Sequence, residues 1–428
     1  MPRLTRYSTV ARIARAGAIA MAALGASVSV GARSDHGWLV QFGTTAFDNA
    51  NGIAVVGDDV YVIGATNGVL GEISAGLQDI YLRSYDRGGN LQWTRQFGSP
   101  GADQTTGGTV RARGNLVVVA GIVRGALPGS TWAGNNDAFV RAYDRRGNAL
   151  WDLQFGTLQN EAVRSVAIAA DGSIFISGQT MGQLTEQPNQ GLADAYVARI
   201  NQDGTLAWLR QFGTSALDEA IGVTVSENAV YLTGVTEGAL PGNVSEGNAD
   251  NFVARLTFDG DFEWITQFGT YAFDALWKIG VLGSTIFVAG NTQGEFPGQV
   301  ALGGFDAVVA ALDDTGEVQW VRQFGGTGND LALGLDVDHG GVVAVGRVGG
   351  FLLPGPPDPG SDAFARKYDT AGNIVWSMQF GTDAFENAQD VVLKAGDVYL
   401  VGTTVGSMPG YSNAGLQDGF VSRIRMNH

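Results

Sequence analysis

Short apolar runs bounded by glycine recur along this chain, and they alternate with turn-forming residues on a scale of strands. Val60-Tyr61-Val62-Ile63 ends at Gly64, Gly52-Ile53-Ala54-Val55 precedes it, and Ala138-Phe139-Val140-Arg141 stands as a third kind of run. A fourth kind carries the motif Trp-x-x-Gln-Phe-Gly. Runs this short, rich in β-branched and aromatic residues, predict strands. After residue 32 no segment sustains a 3.6-residue period, so helices are expected to be nearly absent.

The four runs form one unit that repeats. The motif tryptophans are Trp38, Trp93, Trp151, Trp208, Trp264, Trp320 and Trp376, spaced 55, 58, 57, 56, 56 and 56 residues apart. An acid follows five residues after each motif glycine: Asp48, Asp103, Glu161, Asp218, Asp274, Asp330 and Glu386. Each strand b ends in a glycine, from Gly64 to Gly402, and a second glycine follows four residues later, from Gly68 to Gly406. A loop then leads to another acid: Asp79, Asp137, Asp194, Asp250, Asp306, Asp362 and Asp418. Asp-x-x-Gly, as in Asp86 to Gly89, marks the c-to-d hairpin, where glycine supplies a positive φ. Seven copies of four strands predict an all-β, seven-bladed β-propeller with four-stranded blades. The chain starts its repeats on a lone strand d and ends on a strand c, Phe420 to Ile424. The N-terminal strand is therefore expected to complete the last blade and close the ring.

These motifs resemble the bacterial seven-bladed β-propeller repeat (SBBP, beta-propeller repeat) family. Besides Trp-x-x-Gln-Phe-Gly, the resemblance rests on Asp194-Ala195-Tyr196-Val197-Ala198-Arg199 and Asp250-Asn251-Phe252-Val253-Ala254-Arg255. It covers residues 33–428 and implies the fold and a surface or secreted location. It carries no catalytic motif with it.

Residues 1–32 follow another pattern. Arg3, Arg6, Arg12 and Arg15 precede an apolar run from Ala16 to Val30, and Val30-Gly31-Ala32 offers a small-residue cleavage site. This order reads as a secretory signal, with residues 33–428 as the exported propeller. The run is shorter than the ~20 residues needed to span a bilayer. A secreted or periplasmic protein without membrane insertion after cleavage is expected. The chain has no cysteine, so burial and ring closure must replace disulfides. Its formal charge is −16, and loss of the four leader arginines leaves the mature chain near −20. That charge disfavours nucleic acid and anionic lipid.

Candidate chemistry is sparse. In a propeller the d-to-a and b-to-c links emerge on one face, which gathers both acid series there. They could hold calcium, which takes several carboxylate oxygens, or each could cap its own loop, and sevenfold repetition favours capping. The motif aromatics read as core filling. Asp313 to Trp320 resembles an element of quinoprotein dehydrogenase propellers, but those usually have eight blades and many carry a cysteine pair. The three histidines, His36, His339 and His428, supply no catalytic constellation.

Departures from the repeat are more telling. Trp277 and Lys278 begin strand a of their blade where other copies have Asn51-Gly52 or Ile221-Gly222, Arg164 holds the position of Trp277 in its own blade, and Trp132 stands in a b-to-c loop where no other copy has tryptophan. A proline-rich loop, Leu353 to Gly360, is a further departure. On this reading the protein is a non-catalytic binding module, expected as a monomer, with Arg164, Trp277, Lys278 and Trp132 contacting a protein or glycan. The alternative is an extracellular enzyme acting on polysaccharide through carboxylates near the channel mouth.

Overall fold

A computed structural model describes residues 37–71, 73–352 and 360–426, with two short extended stretches at Ala20–Ala22 and Arg33–Ser34. Apart from Ala20–Ala22, the residues of the leader reading, 1–32, and most of the proline-rich loop, 353–359, lie outside the described residues. Every regular element described is a strand.

Blade 1 runs from strand a at Asp48–Val56 through b at Asp59–Thr66 and c at Asp79–Tyr85 to d at Leu91–Phe97. Each pairs antiparallel with the next. The same order repeats in blade 2 (110–155), blade 3 (161–212), blade 4 (218–268), blade 5 (274–324) and blade 6 (331–380). Blade 7 takes a, b and c from Glu386–Lys394, Asp397–Thr404 and Asp418–Arg425. Its strand d is Gly37–Phe42, registered from Gly37 opposite Ile424 to Phe42 opposite Gly419. The seven-bladed propeller and its closure by the N-terminal strand are thus both present. Outside the ring, Ala20–Ala22 pairs with Ser377–Gln379 of blade 6, and Arg33–Ser34 with Gly37–Trp38.

The apolar cores lie between blades, so each repeat can bury its faces only against its neighbours. Val117, Val119 and Phe139 of blade 2 pack with Tyr61, Ile63 and Leu82 of blade 1. The motif phenylalanine meets the next blade's strand c edge-on, as in Phe42 against Tyr81 and Phe97 against Phe139, with centroids 5.8 and 5.9 Å apart. Such T-shaped pairs are a favoured aromatic geometry.

The motif tryptophans do more than fill the core. Trp38 and Trp376 are buried, whereas the other five are half-buried. Trp38 Nε1 donates to Arg87 O at 2.9 Å, in the c-to-d turn of the next blade. Trp151, Trp208, Trp264 and Trp320 repeat that bond to Gln202, Phe258, Asp314 and Thr370. The turn glycine lies under the indole: a Cβ on Gly89 (φ 79°) would come within 2.6 Å of Trp38 Cδ2. The tryptophans pack in or against the cores as expected, and five of the seven also bridge a blade boundary.

The motif glutamine makes the most demanding arrangement. Gln211 Nε2 donates to Gly182 O at 3.0 Å and to Asp194 Oδ2 at 2.9 Å, while its Oε1 accepts from Leu184 N at 2.9 Å. One buried amide thereby holds both ends of the b-to-c loop. Gln96 makes the same three bonds to Gly68, Asp79 and Leu70. In blade 7, Gln41 reaches Gly406, Asp418 and Met408. There the clasp joins the two ends of the ring.

Two outcomes follow. Deleting residues 33–43 removes strand d of blade 7 and the Gln41 clasp, and should lower the thermal midpoint and broaden the transition. An unchanged midpoint would contradict closure by this strand. Gln211→Leu leaves the Gly182 carbonyl and the Leu184 amide unpaired and strips the Asp194 carboxylate down to its bond from Gln190 N, and should cost about 3 kcal/mol in chemical denaturation.

Candidate functional site

The loop acids set up one end of the ring. Asp48 accepts from Thr44 N at 2.6 Å and Thr44 Oγ1 at 2.8 Å. Glu161 and Glu386 treat Thr157 and Thr382 in the same way, and Asp330 accepts from Gly326 N and Gly349 N. Each d-to-a loop is capped by its own acid, and each b-to-c acid is held by a motif glutamine. Parallel bridges such as Phe47 to Gln417 and Ala193 to Leu217 tie the two loop types of neighbouring blades together, which puts both on one face. The two acids flank the motif glycine. A Cβ on Gly98 would sit 2.8 Å from Asp79 Oδ1 and would also strike Asp103. Among the described residues no group of three or more His, Asp or Glu side chains is arranged to hold a metal ion.

Just past each loop acid, strand a bulges. The ladder skips one residue between Ala50 and Gly52, Val163 and Ser165, Ala220 and Gly222, Leu276 and Lys278, Ala332 and Gly334, and Ala388 and Asp390. Blade 2 has a longer interruption, between Gln104 and Val110. The strand-b glycine permits this. A Cβ on Gly64, Gly121, Gly178 or Gly234 would collide with the carbonyl of Asn49, Gln104, Ala162 or Glu219, which folds over it just ahead of the bulge. Tyr81 Oη and Tyr196 Oη donate to two of these carbonyls, those of Asn49 and Ala162, at 2.5 and 2.9 Å.

A bulged residue has no partner across the ladder. The seven residues at this position, three after the loop acid, are Asn51, Thr106, Arg164, Ile221, Trp277, Leu333 and Gln389. All seven line one cavity of about 480 Å³ at the mouth of the central channel, and no two are alike. Arg164 is ion-paired with Glu219. Asn51 Nδ2 donates to Thr105 O at 2.8 Å. Trp277 is half-buried against the cavity.

The position after the bulge is small in most copies: Gly52, Ser165, Gly222 and Gly334. Blade 5 has Lys278 there instead. Its side chain crosses the channel to blade 2, where a Cβ on Gly107 would lie 2.8 Å from its Nζ. Burial pushes this ammonium down to about 8, against the pull of Asp390 and with help from Arg111. Asp390 itself accepts from Ile53 N at 3.2 Å and lies 3.9 Å from Arg111 Nη1.

Three of the four departures flagged in the sequence, Arg164, Trp277 and Lys278, therefore share one cavity. Trp132 does not join them. It is half-exposed in the b-to-c loop of blade 2, its Nε1 3.3 Å from Asn135 O. The b-to-c loop is carried by the middle of a blade, whereas strand a lines the axis. Sequence reading missed Asn51, Thr106, Ile221, Leu333 and Gln389, although a constant offset from the loop acid marks all of them.

No family model matches the chain. The regulatory protein FlaEY of Caulobacter vibrioides (strain ATCC 19089 / CIP 103742 / CB 15) is 23% identical over 350 residues, which are 70% of this chain and 36% of that protein. The chain thus spans about a third of the length of that curated relative. Among solved structures, the WD40 β-propeller domain of Doa1 aligns with a TM-score of 0.50 at 12% identity, covering 89% of this chain and 95% of its own. Phage phi92 endosialidase reaches 0.48 at 10% identity, covering 94% and 71%. The likeness to Doa1 shows the fold alone.

The buried acids give the fold a pH dependence. Burial raises Asp330 and Asp336 to about 6, and it also raises Asp103, Asp218 and Asp274. A carboxyl whose folded pKa lies above its unfolded value favours folding in its neutral form. Its contribution is complete at low pH and is lost as pH rises through the folded pKa, about 6 for Asp330 and Asp336. The exposed turn acids Asp144, Asp203, Asp313 and Asp369 are held below the usual carboxylate range by their turns, and weaken the fold only in stronger acid. The thermal midpoint should therefore be higher near about pH 5 than near about pH 7.5, and calorimetry at the two values checks it.

Proposed function

We propose that this protein is an exported, non-catalytic binding module that grips a protein or glycan at the mouth of its propeller channel. The observation that carries this reading is the ring of seven unlike residues converging on one cavity, in a chain whose motif and loop-acid positions repeat. A position required by the scaffold recurs in every blade; a position that differs in every blade is set by something else. An indole beside polar amides and an ammonium is a composition suited to recognition.

Other observations agree with it. The leader pattern supports export, and the motif pattern supports membership of the bacterial seven-bladed repeat family. The relative in Caulobacter is named as a regulatory protein, and regulation is a role that binding can fulfil. The carboxylates nearest the mouth are already engaged, Glu219 by Arg164 and Asp390 by Ile53 N. Binding is therefore carried further than carboxylate catalysis on polysaccharide.

Residues 33–428 displayed to arrays of glycans and peptides test this reading. Trp277→Ala should abolish the captured signal with the thermal midpoint little changed, while Trp132→Ala should retain it. A signal lost with Trp132 and kept without Trp277 would move the site to the loop rim.

A further inference from the structure

Lys278 is the most unusual group at the mouth. Its residue is only 8% exposed, yet among the described residues its ammonium makes no ion pair and no hydrogen bond. A buried cation without a partner weakens a fold, and neutral or small residues fill this position in the other copies just named. Asp390, at the equivalent place in blade 7, attracts it through space but forms no ion pair with it, and accepts from Ile53 N with Arg111 Nη1 3.9 Å away. The other charges at the mouth, Arg164 and Glu219, are paired with each other.

Two further features show that the chain makes room for this side chain. Blade 2 interrupts its strand a with Gly107 and Gly108, and a Cβ at either would lie within about 3 Å of Lys278 Nζ: 2.8 Å for Gly107 and 3.0 Å for Gly108. Lys278 thus spans the channel and forms the floor of the cavity, with Trp277 in the wall beside it. The remaining wall sets Asn51, Thr106 and Gln389, whose neutral polar groups exchange hydrogen bonds with hydroxyls, among the apolar Ile221 and Leu333.

We infer that the mouth takes the end of a saccharide bearing a carboxylate, with the carboxylate on Lys278 and a sugar face against Trp277. This rests on the reading of the mouth as a binding site and specifies its ligand. A single anionic group supplies the partner that the ammonium lacks, and a charge-assisted hydrogen bond at a largely buried floor is strong. The indole offers an apolar face to the C–H side of a pyranose. The protein's charge of −16 disfavours a long polyanion lying across the face, so the charged unit enters end-on.

The probe is a disaccharide ending in a hexuronic acid, titrated calorimetrically into residues 33–428, beside the same disaccharide with its carboxylate reduced to the alcohol. The acid form should bind at least roughly tenfold more tightly than the alcohol. Lys278→Met should remove that preference while keeping, or raising, the thermal midpoint, because a buried unpaired charge is gone. Equal binding of acid and alcohol, binding of neither, or an undiminished preference in Lys278→Met would overturn the inference. A neutral glycan or a peptide whose capture is lost in Trp277→Ala would also overturn it, while leaving the mouth as the site.

Discussion

A primary amide has two donors and one oxygen, and burying it unpaired is costly. The motif glutamine of this propeller satisfies all three in each blade. It donates to a loop acid and to a glycine carbonyl, and accepts from a backbone amide two residues beyond that glycine. The loop so held ends at the acid that faces the next blade's acid across the motif glycine. Position is passed from strand d to the b-to-c loop, and from there to the start of the neighbouring strand a. In blade 7 the same bonds link residues at opposite ends of the chain, so an element that is local elsewhere becomes the lock of the ring. Without a disulfide, closure depends on this amide, on the strand pairing beside it and on the indole of Trp38 against the next blade.

The bulge in strand a depends on that frame. Its upstream side is fixed by the capped loop, and its carbonyl is received by a strand-b glycine. What results is a rigid collar from which one side chain per blade projects toward the axis. The repeated residues of the motif build the collar, and the unrepeated ones fill it. The two kinds of position stand three residues apart, which is why a chain this symmetric can present an asymmetric cavity.

Much of this is legible in the sequence alone. Seven motif tryptophans fix the blade number, the lone first strand d predicts closure, and Arg164, Trp277 and Lys278 stand out against the repeat. Other points were hidden for physical reasons. The bulge is a one-residue slip in a strand whose glycines and alanines blur the alternation, so its seven positions did not read as one set. The burial of Lys278 depends on Gly107, more than a hundred residues away in sequence and opposite it across the channel. Trp132 looked equivalent to Trp277 because sequence reports the face of a loop but not its distance from the axis. A carboxylate that caps a loop and one that binds a cation also look alike in sequence; only the positions of the surrounding amides and hydroxyls separate them.

The bulged residues make no ladder bonds and lie outside the apolar cores between blades. Substitutions at Ile221, Trp277 or Leu333 therefore alter the lining of the collar without touching what holds the ring together, whereas Arg164 and Asn51 also tie neighbouring blades. Lining and scaffold are largely assigned to different residues, so a duplicated copy of this chain could change its cavity one blade at a time, each step tolerated by an unaltered fold.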